Sequence, residues 1–177
     1  MAEDGRKVAL VTGGSRRIGA AISRALAKAG YEVVLTYRAS AREGKSLAAR
    51  IGGSAVPLDL SRPSTFGRFA DRLGRKFGRL DLLVHNAAVF PRTPVDEATP
   101  AAWAAVFAVN LSGPFLLTRA LLPLLRKSGG DAGVLFLGDA FAGEVWPGYL
   151  PYCLSKLAVP PMAAGLRKAL PPGVRVG

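Results

Sequence analysis

The chain reads as an α/β protein built on a doubly wound parallel sheet with helices on both faces, and three features predict it. Short β-branched apolar runs alternate with longer amphipathic stretches from one end to the other. The intervals between runs have room for a crossover helix, which parallel strands require. The first apolar run ends in a glycine-rich turn that opens directly onto a helical stretch. No internal repeat, linker or low-complexity tract divides the 177 residues, so one domain is expected, long enough to bury a real core.

Each element has its own signal. Lys7–Thr12 (KVALVT) is the first strand. Arg17–Gly30 carries apolar residues at helical spacing and ends on Gly30 as its C-cap. Tyr31–Tyr37 is the second strand and Ser40–Ile51 a helix stopped by Gly52-Gly53. Ser54–Leu58 is a short third strand, followed by a helix over Pro63–Phe77 that Ser61-Arg62-Pro63 opens. Leu80–His85 is a buried fourth strand and Pro100–Lys127 a long apolar helix. Gly133–Leu137 is the fifth strand, Tyr149–Leu170 another helix, and Val174–Val176 begins a last strand. Pro160-Pro161 falls inside the last helix. Proline there removes the bonds to the carbonyls of Lys156 and Leu157, so a kink is expected.

Composition narrows the function classes. Net charge is +12, but the arginines are scattered and no aromatic residues interleave with them. That is a solvated basic surface rather than a nucleic-acid platform, and it favours an anionic cofactor. No apolar run of about 20 residues is evident, so no membrane partner is expected. Met1–Lys7 is polar and leads straight into a strand, unlike a signal peptide. Cys153 is the only cysteine, which excludes an intrachain disulfide and points to a reducing cytoplasm. No metal is expected.

The turn after the first strand reads Thr12-Gly13-Gly14-Ser15-Arg16-Arg17-Ile18-Gly19. Glycines let the backbone turn sharply and let a pyrophosphate approach the N–H groups at a helix start. Gly13, Gly14, Ser15, Arg16, Arg17, Ile18 and Gly19 are therefore candidate cofactor contacts. A site for NAD places an acid at the end of the second strand to hold the ribose 2′-hydroxyl. Here that place reads Thr36-Tyr37-Arg38-Ala39-Ser40, without an acid. Tyr37, Arg38 and Ser40, with Arg16, suit a 2′-phosphate instead, so NADP(H) is the expected cofactor. Tyr152-Cys153-Leu154-Ser155-Lys156 is a YxxxK whose ends share one helix face. Lys156 is expected to favour the ionised phenol of Tyr152, lowering its pKa from near 10.

These motifs, together and in this order, resemble the short-chain dehydrogenase/reductase family. The turn is similar to that family's TGxxxGxG, with Arg17 in place of the middle glycine, the form found in the pteridine reductase branch. The resemblance implies that Arg17 lies over the cofactor pyrophosphate. It also implies roles for Asp59 and Leu60 at the adenine, and for Asn86 and Ala87, whose HNAA sequence is similar to the family's NNAG. His85, in the place of the first Asn, is expected to be structural. Asp139, thirteen before Tyr152, stands where most members have Ser, and Asp–Tyr–Lys is the pteridine reductase pattern. Asn110 matches the family's fourth catalytic position, which bends the long helix. Phe90 stands where that branch stacks its substrate on a ring, a spacing equally compatible with a core residue. Members of the family continue beyond Gly177 with more of strand six, a loop over the nicotinamide and a seventh strand, and are usually homo-oligomers. The fold implied is Rossmann-type, lacking those C-terminal strands, and the chain as written is expected to hold the adenosine half of NADPH better than the nicotinamide half.

The implied reaction is hydride transfer from NADPH to a C=N or C=O bond of a small molecule, with Tyr152 as proton donor. Lys156 holds the nicotinamide ribose and Asp139 orients or protonates the substrate. A dihydropterin is the favoured substrate. A general carbonyl reductase of ketoacyl type is the alternative, and a nucleotide-binding homologue without turnover is a third.

Overall fold

In a computed structural model the described residues are 5–140 and 143–177. The polar lead-in read at Met1–Asp4 lies outside them. The strands are β1 (Val8–Val11), β2 (Glu32–Tyr37), β3 (Ser54–Pro57), β4 (Leu82–His85), β5 (Ala132–Phe136) and β6 (Val174–Val176). They pair parallel throughout, in the order β3-β2-β1-β4-β5-β6. All four residues of β1 are buried, because both faces of a parallel sheet are covered by helices. Hence KVALVT reads as a continuous apolar run rather than an alternating one.

Neighbouring residues of β2 serve opposite faces. Val34 belongs to a large core with α3 (Phe66–Phe77) and α5 (Gly113–Leu125). Val33 and Leu35 pack on the other side with α1 (Arg17–Lys28) and α2 (Ala41–Ile51). On α3 the buried residues are Phe66, Phe69, Leu73 and Phe77, one stripe at helical spacing. Each such side chain contributes about 1.5–3 kcal/mol when fully buried. Asp81 ties the start of β4 to its neighbour: its carboxylate accepts from Val8 N at 2.7 Å and from Arg79 at 2.5 Å.

The chain leaves β1 towards β2 on one side and returns through β4 on the other. The loops after β1 and β4 therefore diverge, and this switch point is where an open α/β sheet forms its crevice.

Two stretches read as single helices, with a bend expected at Asn110 and a kink at Pro160-Pro161, are each interrupted. The long one begins at Thr99, whose hydroxyl accepts from Ala102 N at 3.1 Å, and runs as α4 (Pro100–Phe107). A π-helical segment, Ala108–Ser112, then separates it from α5. Pro114 cannot donate to the carbonyl of Asn110, so the regular ladder lapses there. This stretch, Pro100–Ser128, is by length and composition apolar enough to cross a membrane, which corrects the expectation that no such segment exists. In the fold it is a core helix, with Leu117, Leu121 and Leu125 fully buried. The other expected helix divides at Ala158 into α6 (Leu150–Leu157) and α7 (Val159–Ala169). Pro160 and Pro161 produce the break, as their missing N–H groups predict.

Candidate active site

The turn after β1 is fixed by Thr12 and Asn86. Thr12 Oγ1 accepts from the backbone N–H groups of Asn86 (3.0 Å) and Ala87 (3.1 Å). Asn86 Nδ2 donates back to the carbonyls of Thr12 (2.9 Å) and Gly13 (3.1 Å). Within this knot a Cβ on Gly19 would collide with the Gly13 carbonyl and lie 2.5 Å from Asn86 Nδ2. Glycine at 19 is thus required by the close approach of helix α1 to the turn. Arg17 keeps a left-handed backbone, φ 49°, although it is not glycine. The substitution at the family's middle glycine has kept a glycine-like conformation, at a cost of order 1–3 kcal/mol.

The residues expected at the pyrophosphate, adenosine ribose and adenine face one cleft of about 410 Å³ at the switch point, except Gly14; Lys156, expected at the nicotinamide ribose, lies outside its lining too. Gly13, Ser15, Arg16, Arg17, Ile18 and Gly19 form its turn side. Tyr37, Arg38 and Ser40 close the β2 end, and Asp59, Leu60, Asn86 and Ala87 the opposite wall. Ser40 is not free: it shares a 2.5 Å hydrogen bond with Ser15, and both are buried. The Tyr37 ring packs against Gly44 on α2, so it serves mainly as wall. At Asp59, Oδ1 accepts from Ser61 N (2.9 Å) and Ser61 Oγ (2.7 Å). Those bonds, with the positive charges of Arg38 and Arg62, hold its carboxyl below the usual range.

The second group of residues lies around a separate cavity of only about 10 Å³, bordered by Asp139, Trp146, Tyr152 and Lys156. That is no more than the space of one water. Tyr152 donates a short hydrogen bond to the Asp139 carboxylate. Lys156, buried, donates from Nζ to the carbonyl of Leu137 at 2.8 Å. Burial raises the Tyr152 pKa, and the bond to Asp139 and its charge raise it further. This corrects the expectation of a lowered phenol pKa. The ammonium is anchored on Leu137, and the carboxylate is what faces the phenol. Burial in turn lowers the Lys156 pKa, against an opposing pull from Asp139.

Asn110 joins the two regions. Its Oδ1 accepts from Val89 N at 2.9 Å and its Nδ2 donates to Val89 O at 3.0 Å. The same Nδ2 lies 3.0 Å from Ser155 Oγ, on the helix of Tyr152 and Lys156. Val89 lines the cofactor cleft. One amide in the π segment therefore clamps the cleft loop to the helix that carries the YxxxK.

Phe90 is a surface residue, 48% exposed, rather than a core one. It stacks on Tyr149 with centroids 4.4 Å apart and planes at 9°. It meets Tyr152 edge-on at 4.4 Å and Trp146 at 6.0 Å. Sequence reasoning missed Tyr149 and Trp146. The available signal was two aromatic residues three and six positions before Tyr152. His85 takes the structural place expected for it. Thr118 Oγ1 donates to the Pro114 carbonyl at 2.9 Å, so His85 Nε2–H donates to Thr118 at 2.8 Å. The ring stacks on Phe136 at 4.6 Å, and burial pushes its pKa down to about 3.

The sequence model of the short chain dehydrogenases matches residues 7–177. The chain belongs to that family. A relative, the D-threitol dehydrogenase of Mycolicibacterium smegmatis, is 34% identical over 158 residues, covering 86% of this chain and 60% of the relative. Among solved structures, a short-chain dehydrogenase from Streptomyces avermitilis superposes with a TM-score of 0.88 at 30% identity, over 99% of this chain and 65% of that one. A short-chain dehydrogenase from Burkholderia cenocepacia J2315, solved in complex with NADP, gives a TM-score of 0.86 at 32% identity, over 97% and 71%. The chain thus spans about 60% of the length of the first curated relatives it matches. The parallel sheet and its strand order accord with that membership.

Proposed function

We propose that this short-chain dehydrogenase binds NADP(H) in the switch-point cleft and reduces a C=N or C=O bond of a small molecule, with Tyr152 as proton donor. The observation that carries the reading is the Tyr152–Asp139 hydrogen bond beside a buried Lys156, one Asn110 clamp away from the cleft. The cleft's donor set fits NADP(H). Its volume is in the range of cofactor sites, its β2 end offers Arg38 and no acid, and Arg16 and Arg17 stand at the start of α1. The NADP found in solved relatives supports the same assignment.

When bound, NADPH supplies the hydride. The chain's residues handle the proton. The raised pKa keeps Tyr152 a phenol at neutral pH, so its Oη carries the proton that the substrate's oxygen or nitrogen takes as the π electrons move onto that atom. Lys156 would hold the nicotinamide ribose, as the family resemblance implies. Asp139 accepts the phenol's hydrogen bond at rest and, once protonated, can orient or protonate the substrate.

A dihydropterin is the finer reading. It is supported by a carboxyl in place of a hydroxyl at Asp139 and by the rings of Phe90, Tyr149 and Trp146, which suit a flat heterocycle. A general carbonyl reductase is the second reading, favoured by the relative named for D-threitol. The setting proposed is the cytoplasm, on the ground of the single Cys153, and a homo-oligomer, as the family resemblance implies. NADPH-linked reduction of dihydrobiopterin and of an aliphatic ketone, by the native protein and by Asp139→Ser, separates the readings. Loss of pterin turnover with ketone turnover kept supports the pterin. Unchanged pterin turnover makes Asp139 structural and moves the carbonyl reading ahead. No reduction of either substrate refutes the proposed activity.

A further inference from the structure

We propose that a second groove, beside the cofactor cleft, binds a phosphorylated small molecule of nucleotide type. It runs along the edge strand β3 and the first turns of α3, with a volume of about 420 Å³ against about 410 Å³ for the cofactor cleft. Arg62, Arg68 and Arg72 line it, and Arg38 stands on the wall that both share. Its floor is apolar, formed by Leu58 and Phe69, both buried.

The charges in this groove are not balanced from within. Asp59 is the only acid among its lining residues. One Asp59 oxygen is taken up by Ser61, and the other lies 3.8 Å from Arg62. Among the described residues Arg68 and Arg72 make no ion pair or hydrogen bond. They sit four apart on α3, where like charges face each other and repel. An anion held between two guanidiniums removes that repulsion and gains charge-assisted hydrogen bonds. Phosphate suits the arginines, and a ring suits the apolar floor. The groove is of ligand size and has no exposed aromatic residue for stacking a nucleic-acid strand.

The groove adjoins the cofactor cleft and shares Arg38, Leu58 and Asp59 with it, so its test turns on Arg68 and Arg72, which line the groove alone. ATP serves as the probe, titrated calorimetrically onto the protein with and without saturating NADPH. At saturating NADPH, which fills the cofactor cleft, one ATP is expected to bind; without NADPH a second ATP can enter the cleft. The double variant Arg68→Ala, Arg72→Ala should weaken ATP at least tenfold and leave NADPH affinity within twofold. Both positions are exposed on a helix, and alanine is the better helix former, so the fold is kept. Inorganic tripolyphosphate should bind more weakly than ATP, with the same dependence on the two arginines. The proposal is overturned by any of three results: no ATP binding, ATP that displaces NADPH one for one, or ATP affinity unchanged in the double variant. Failure of NADPH to bind would refute the cofactor reading alone, since the arginine dependence of ATP is read without it.

Discussion

The two halves of the candidate site are built on different principles. The nucleotide half, at the ends of β1, β2, β3 and β4, is a cleft of about 410 Å³ shaped mainly by backbone, a glycine turn and a helix start that the Thr12 and Asn86 side chains lock in place. The half around Tyr152 is a cavity of about 10 Å³ shaped by side chains that satisfy one another. A backbone-shaped site tolerates changes to its side chains and fails when a Cβ intrudes. A side-chain-shaped site is the reverse, since each group is another group's partner. The two halves are therefore expected to fail separately under substitution.

The largest expected effect is in the half around Tyr152. Tyr152→Phe removes the proposed donor hydroxyl and keeps the ring against Phe90. Turnover should fall by roughly 10²–10⁴, the usual worth of general acid catalysis. A variant keeping full rate in a steady-state assay would take Tyr152 out of the mechanism.

The next effect sharpens the comparison by using a histidine that belongs to neither half. His85 has a folded pKa of about 3, below the ordinary 6.5 of the unfolded chain. Between those values the unfolded state binds more protons, so stability is full above about pH 6.5 and declines as pH falls towards 3. The slope is at most about 1.4 kcal/mol per pH unit. His85→Asn should flatten the decline in denaturant midpoints measured from pH 7 to 4.5. An unchanged slope would place the acid sensitivity elsewhere.

The smallest effect concerns the one strained residue of the nucleotide half. Arg17→Gly relieves a left-handed φ of 49° and should raise stability by about 1 kcal/mol. The same change removes a guanidinium from the cleft, so NADPH affinity should fall while the melting temperature rises. A variant that loses both would show that the turn depends on the arginine side chain for its shape.

What the sequence made legible follows the same division. The strands could be read because a buried parallel strand is a continuous apolar run, and the cleft because glycines and strand ends sit at fixed places along one chain. The break at Ala158 was legible too, since Pro160 and Pro161 name the hydrogen bonds they remove. The half around Tyr152 was less so. Phe90 and Tyr149 are 59 positions apart, and only the fold stacks them. The pairing of Lys156 with a backbone carbonyl left no mark in the sequence, so the direction of the Tyr152 shift was misread. Pro114 was passed over, so the π segment was not foreseen, and the reach of Asn110 to both Val89 and Ser155 needed the structure.

The most direct test crosses the two halves. NADPH affinity and turnover at saturating NADPH would be measured for Arg38→Asp and Tyr152→Phe together. Arg38→Asp should lose about one to three kcal/mol of NADPH affinity, the worth of one or two charge-assisted hydrogen bonds, and keep its turnover at saturation. Tyr152→Phe should lose turnover and bind NADPH as the native protein does. If each variant loses affinity and turnover together, the halves are not separate and the account is wrong.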